Sequence, residues 1–223
     1  MPNPTRRFEA VLFDMDGVLV DSEHRWNDVR IAYAAAHGRS WGIDDQHAVM
    51  GANSIQWATT MRNRLALDDM PVDRILTAIV AGVVGEFRRG SVPVVPGAPA
   101  AVRRIATRWP VGIASSSHPD VIAAALDLLG LHGVFGAVTS SDEVAHGKPE
   151  PDVYRLAAQR LGAAPERCLV VEDSTNGILA GKAAGAYVVL IPNPTVLPAQ
   201  HAVEAADAII ERIEDLDPDA LPA

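Results

Sequence analysis

The stretch AVLFDMDGVLVDSE (residues 10–23) decides the fold. Four apolar residues, Ala10 to Phe13, stop at Asp14; Asp16 and Gly17 follow, and then the chain turns apolar again. A run this short, bounded by an acid and a glycine, reads as a buried strand rather than a helix. Its end places two carboxylates side by side.

Four more segments share that form: VGIAS (111–115), GAVTS (136–140), CLVVE (168–172) and YVVLI (187–191). Brief apolar runs closed by Gly, Pro, Ser or Asp suit a parallel sheet covered on both faces. Helical periodicity fills the gaps in HPDVIAAALDLLGL (118–131), DVYRLAAQRLGA (152–163) and NGILAGKAAGA (176–186), each with a glycine near its end. Alternation of strand and helix implies right-handed crossovers and an α/β fold with a doubly wound, Rossmann-like parallel sheet. ADAIIE (206–211) is a candidate edge strand.

Residues 20–92 break the rhythm. DSEHRWNDVRIAYAAAHG (21–38) reads as an amphipathic helix with Trp26, Val29, Tyr33 and Ala36 on one side. SIQWATTMRNRLAL (54–67) and PVDRILTAIVAGVVGEF (71–87) read as further helices, and VPVVPGAPAAV (92–102) returns the chain to the α/β pattern. The expected organisation is a core of 1–19 and 93–223 with a helical insertion at 20–92.

Composition narrows the function. The chain has 223 residues, is 48% hydrophobic and carries a formal net charge of −9. It is long enough for a substantial core, and a chain this acidic has no general attraction for nucleic acid or an anionic membrane surface. A single cysteine, Cys168, permits no internal disulfide and fits a reducing, cytoplasmic location. The N-terminal residues lack the form of a signal peptide, and ILTAIVAGVV (75–84) is too short to span a bilayer. No oligomer seam is visible, so a monomer is expected.

Open parallel sheets bind ligands beyond the carboxyl ends of their strands. Those ends here carry Asp14 and Asp16, then Ser115, Ser116 and Ser117, then Lys148 in HGKPEPD (146–152), then Glu172 and Asp173 in VVEDSTNG (170–177). Four acids against one lysine would raise one another's pKa. A divalent cation resolves the conflict, and an all-oxygen donor set suits Mg²⁺. Lys148 and the serine loop would hold the remaining oxygens of an anionic substrate, which is the equipment of phosphoryl transfer. Asp14 then attacks phosphorus, and Asp16 protonates the leaving oxygen and later takes a proton from water.

Taken together and in this order, FDMDGVLVDSE (13–23), ASSS (114–117), GKPEPDVY (147–154) and EDSTNG (172–177) resemble the haloacid dehalogenase superfamily, in its helical-cap branch. The resemblance spans nearly the whole chain. It implies that the insertion at 20–92 is a cap that closes over the site. It also implies Asp14 as nucleophile and Asp16 as acid/base, whose backbone carbonyl is a metal ligand. Ser115 matches the phosphate-binding hydroxyl, with the Ser116 amide beside it, and Lys148 the phosphate-orienting lysine. Asp173 matches a metal-binding acid; Glu172 is either a direct ligand or an outer partner.

Dehalogenases of the superfamily lack the second aspartate and need no metal, so Asp16 and the Glu172–Asp173 pair argue against that activity. Resemblance to the sugar-phosphate phosphatases implies a Mg²⁺-dependent phosphatase of a small phosphorylated metabolite, a sugar phosphate. The alternative is a phosphomutase of the β-phosphoglucomutase type. That group carries a histidine where Trp26 stands and an arginine near Ser54, and both departures weigh against it. A third reading, a receiver-like module phosphorylated on Asp14, needs no cap and a shorter chain.

Several residues carry a plain structural reading beside a functional one. Cys168 opens an apolar strand with no histidine placed to activate it and reads as a buried small residue. His118 reads as a helix cap, Ser117 as loop. Trp26, Asn53 and Trp57 could line the inner face of the cap, the tryptophans reading chiefly as its core.

Overall fold

The computed structural model describes residues 7–193 and 197–221; residues 1–6, on which part of the N-terminal reading rests, lie outside them. A six-stranded, all-parallel sheet in the order β3-β2-β1-β4-β5-β6 forms the centre. Its strands are β1 (Ala10–Phe13), β2 (Val111–Ser115), β3 (Ala137–Ser140), β4 (Cys168–Glu172), β5 (Tyr187–Leu190) and β6 (Ala208–Ile209). Strands β1, β2 and β4 are buried at every position, as apolar runs on a doubly covered sheet should be. The candidate edge strand at 206–211 is β6, two residues long.

Helices α1 (Glu23–Ala36), α2 (Ile43–His47), α3 (Ser54–Arg64) and α4 (Val72–Arg88) follow β1. Next come α5 (Ala98–Ala106) before β2, α6 (Pro119–Leu129) before β3, α7 (Asp152–Leu161) before β4, α8 (Thr175–Ala183) before β5, and α9 (Gln200–Ala205) before β6. One apolar cluster packs on each sheet face: Val11, Phe13, Ile113, Leu169 and Val171 point to one, and Ala10, Leu12, Cys168, Val170 and Val188 to the other. Alternate residues of each strand thus serve opposite cores.

Local chemistry explains the helix ends. The His118 ring accepts from the Asp120 amide, the capping role expected of it. Glycines in the left-handed region, Gly130 and Gly162, stop α6 and α7. Asn53 and Gln56 form a reciprocal capping box at α3, so Asn53 caps a helix.

The buried face of α1 differs from the expected one. Trp26, Arg30 and Ala34 are buried, Val29 and Tyr33 only partly, and Ala36 is exposed. Positions 26, 30 and 34 fall on one i, i+4 stripe, and an arginine occupies its middle. Short α2, mostly polar, offered no periodicity to read. Polar contacts between the helical segment and the sheet end include the Ser54 amide donating to Asp142 Oδ1 (2.8 Å) and Ser116 Oγ donating to the Gly51 carbonyl (3.2 Å).

Candidate active site

At the end of β1 the Asp14 amide still donates to the Val171 carbonyl (3.0 Å), which seats the residue at the carboxyl end of the sheet beside β4. The chain then turns tightly, the Gly17 amide donating to the Val20 carbonyl (2.7 Å) with Gly17 at φ +91°. That φ suits glycine, and a Cβ at position 17 would overlap the Asp173 carboxylate. Gly17→Ala should therefore displace Asp173 and cost about 1–3 kcal/mol by overpacking. Thermal unfolding checks it; an unchanged melting temperature would contradict the packing described.

Parallel strands bring the other candidates to the same end. Lys148 is buried, and its Nζ donates to Asp14 Oδ1 (2.6 Å) and Glu172 Oε1 (2.7 Å). Asp14, Glu172 and Asp173 offer carboxylate oxygens within 4.8 Å of one another. Both oxygens of Glu172 are engaged. Oε1 accepts from Lys148 and from Tyr154 OH (2.7 Å). Oε2 accepts from the Asp173 amide (3.0 Å), the Ser174 amide (3.1 Å) and Ser174 Oγ (3.0 Å). Five donors on one carboxylate about fill its acceptor sites. Glu172 thereby anchors Lys148 and the start of the loop into α8. Asp173 receives the Asn193 side-chain amide on Oδ2 (3.1 Å).

Asp16 is held on both oxygens. Ser22 Oγ donates to Oδ1, and Ser117 Oγ donates to Oδ2 (2.7 Å). Ser115 Oγ lies 3.5 Å from Asp16 Oδ2 and accepts from the Ser117 amide (3.0 Å). Ser140 Oγ ties the Ser117 carbonyl to the end of β3 (2.7 Å). Ser117, read from sequence as plain loop, is thus a direct partner of the second aspartate. Ser22, Asn193 and Tyr154 were not singled out from the sequence. Ser115 is fully buried, whereas Ser116 and Ser117 line the cleft.

Electrostatics follow from burial. Burial pushes the Asp14 carboxyl from 3.8 up to about 7, against the pull of Lys148, with Glu172 and Asp16 adding to the rise. Asp173 is driven well above the ordinary range by burial, then by the charges of Glu172 and Asp14. Burial would lower Lys148, but Asp14 and Glu172 outweigh it and raise the ammonium. For Glu172 burial opposes ionisation, yet Lys148 and the hydrogen bonds prevail and its pKa falls. Lys148 therefore compensates Asp14 and Glu172 by direct bonds and Asp173 more weakly through its charge, with the Asn193 amide as the hydrogen-bond donor to Asp173 among the described residues. That residual deficit, with oxygen donors alone around it, fits a hard divalent cation.

A cleft of about 650 Å³ opens over these groups, with Asp14, Asp16, Lys148 and Asp173 on its floor and residues of α1, α2 and α3 in its opposite wall. Trp26 and Trp57 pack edge to face (6.0 Å between centroids) and both reach that wall, so they serve the helical core and the cleft together. The Cys168 thiol is buried and pushed up to about 12, first by burial, as befits a packing residue.

Comparison with known proteins gives the chain its relatives. A haloacid dehalogenase-like hydrolase family model matches residues 8–185. The chain is similar to the bifunctional riboflavin kinase/FMN phosphatase of Arabidopsis thaliana, 31% identical over 220 residues, covering 97% of this chain but 56% of that protein. It is also similar to the fructose-1-phosphate phosphatase YqaB of Escherichia coli, 34% identical over 185 residues, covering 80% of this chain and 94% of that protein. Among solved structures, CbbY from Rhodobacter sphaeroides in complex with phosphate superposes with a TM-score of 0.82 at 24% identity, over 94% of this chain and 96% of that one.

Proposed function

The chain belongs to the haloacid dehalogenase-like hydrolase family, and on that premise we propose that it is a Mg²⁺-dependent phosphatase of a small sugar phosphate working through an aspartyl-phosphate. The observation that carries the reading is the buried Lys148 bridging Asp14 and Glu172, with Asp16 held beside them.

In the first half-reaction an Asp14 oxygen attacks phosphorus in line with the ester oxygen. The P–O ester bond breaks, and protonated Asp16 gives its proton to the departing alkoxide. In the second, water attacks the phosphoryl group, Asp16 takes its proton, and inorganic phosphate leaves with Asp14 restored. Ser22 and Ser117 aim Asp16; Lys148, the Ser115 hydroxyl and the Ser116 amide hold phosphate oxygens. Asp14, Asp173 and the Asp16 carbonyl would hold Mg²⁺, with Glu172, its oxygens occupied by donors, as their outer partner. The ion supplies charge neutralisation for the acids and an anionic substrate oxygen. The segment 20–92 acts as the cap over a core of 1–19 and 93–223, and the protein works as a cytoplasmic monomer.

Phosphate release from a panel of phosphorylated metabolites tests the proposal: release with Mg²⁺, loss with EDTA and recovery on re-addition are expected. Release that survives EDTA would contradict the metal dependence. Conversion of β-glucose 1-phosphate to glucose 6-phosphate in the presence of a bisphosphate activator would favour the mutase instead.

A pH signature accompanies the metal. Asp14 binds its proton more tightly in the folded chain than the 3.8 of a free side chain, holding it to about pH 7. The folded state then carries more protons than the unfolded state, so the metal-free chain loses stability as pH rises from about 4 to about 7. Mg²⁺ relieves the same repulsion, and its increment in melting temperature should be larger at about pH 8 than at about pH 5. Equal increments would contradict the assignment.

A further inference from the structure

Arg30 is a buried cation that the chemistry above does not use. It is 5% exposed and lines the helical wall of the cleft. Its guanidinium carbon lies 5.0 Å from the Trp26 ring centroid and 5.7 Å from that of Trp57. Nη1 donates to Gln46 Oε1 (3.1 Å), an oxygen shared with Trp41 Nε1 (3.2 Å). The Gln46 amide in turn donates to the Glu23 carboxylate. Arg30 Nε, however, is buried with no hydrogen-bond partner among the described residues. A buried donor left unmade is costly, and it belongs to a side chain that lines an open cleft.

Charge selects the kind of ligand. Among the described residues, Arg30 and Lys148 are the lining side chains with a permanent positive charge. Burial lowers the Arg30 pKa to about 10, with Glu23 and then Asp16 opposing the fall. Glu23 also lines the cleft, linked to Arg30 through Gln46. The distal wall is therefore close to neutral overall, yet dense in donors and acceptors: guanidinium, carboxylate, and the Asn27 amide, with two indoles beside them. Hydroxyl groups satisfy such a wall, and the C–H face of a polyol can lie on the indoles. A second phosphate would approach the Glu23 carboxylate, a like-charge encounter that disfavours it.

We propose that Glu23, Gln46 and Arg30, with Trp26 and Trp57, read the neutral polyhydroxyl end of a monophosphate and reject a second anionic group there. This rests on the phosphatase reading of the same cleft. Arg30 and Glu23 act as specificity-determining residues through contact with the distal hydroxyls, and their effects belong in KM more than in kcat.

The test compares fructose 1-phosphate with fructose 1,6-bisphosphate, which differ by one distal phosphate, using the full chain with Mg²⁺. The parent protein should prefer the monophosphate by about tenfold or more in kcat/KM, equivalent to roughly 1.4 kcal/mol. Glu23→Gln, which frees the Arg30 charge, should move that preference toward the bisphosphate by about tenfold, and Arg30→Met should raise KM for the monophosphate by a similar factor. A parent that treats both sugars alike overturns the inference without any variant, as does a Glu23→Gln preference within about twofold of the parent's. Hydrolysis of p-nitrophenyl phosphate separates the two readings. If the parent hydrolyses it but ignores the distal phosphate, this inference alone fails. If it releases phosphate from no monoester, both fail.

Discussion

Asp14→Asn should abolish phosphate release, with kcat falling by at least ~10⁴-fold, a loss typical of removing a nucleophile. The neutral amide oxygen cannot form the acyl phosphate that the carboxylate forms, and the neighbouring acids among the described residues have other partners. Asp16 is committed on both oxygens to Ser22 and Ser117, and Glu172 to five donors. The fold should survive. The position-14 amide keeps its bond to the Val171 carbonyl, Lys148 keeps Glu172, and one of three crowded acids becomes neutral. Steady-state phosphate release and far-UV circular dichroism check both halves. Hydrolysis within about tenfold of the parent would remove Asp14 from the reaction.

Lys148→Met should do more damage to the molecule. Lys148 is the cation joining Asp14 and Glu172, and its side chain is almost fully inaccessible. Removing one member of a buried ion pair leaves uncompensated charge and costs about 3–5 kcal/mol. For a chain of this size that corresponds to a melting temperature lower by roughly 6–20 °C. Catalysis should fall as well, by about 10²–10³-fold, as when a donor to a developing anion is removed. The stability deficit should shrink as pH falls and the acids take up protons, which distinguishes lost charge compensation from lost packing. A deficit that is constant with pH would point to packing alone.

How much of this the sequence carried depends on the kind of signal. The strands were legible because each is a short apolar run closed by a polar residue; β1, β2 and β4 have the bounds expected of them. Their carboxyl ends then located the acids, serines and lysine, since a parallel sheet delivers all those ends to one side. What escaped were residues whose roles exist only in three dimensions. Ser22 and Ser117 are ordinary hydroxyls until the fold sets them on either side of Asp16. Tyr154 sits in the apolar face of α7, where nothing in its periodicity reveals that the hydroxyl meets Glu172. Asn193 was closer to reach, because it lies just beyond β5 and the strand-end rule that found Asp173 applies to it too. Arg30 falls four residues after Trp26, on the stripe that Trp26 marks as buried, so helical geometry alone could have placed it inside. A charged residue ordinarily takes the solvent face, but here Gln46, linked on to Glu23, and two indoles receive it.

The central claim is that phosphate passes through Asp14 on its way to water. The stereochemical course at phosphorus tests this most directly, using a substrate whose phosphoryl group is made chiral with oxygen isotopes and hydrolysed in isotopically labelled water. Two successive in-line displacements, first by Asp14 and then by water, predict net retention of configuration. Net inversion would mean a single direct attack by water and would contradict the account.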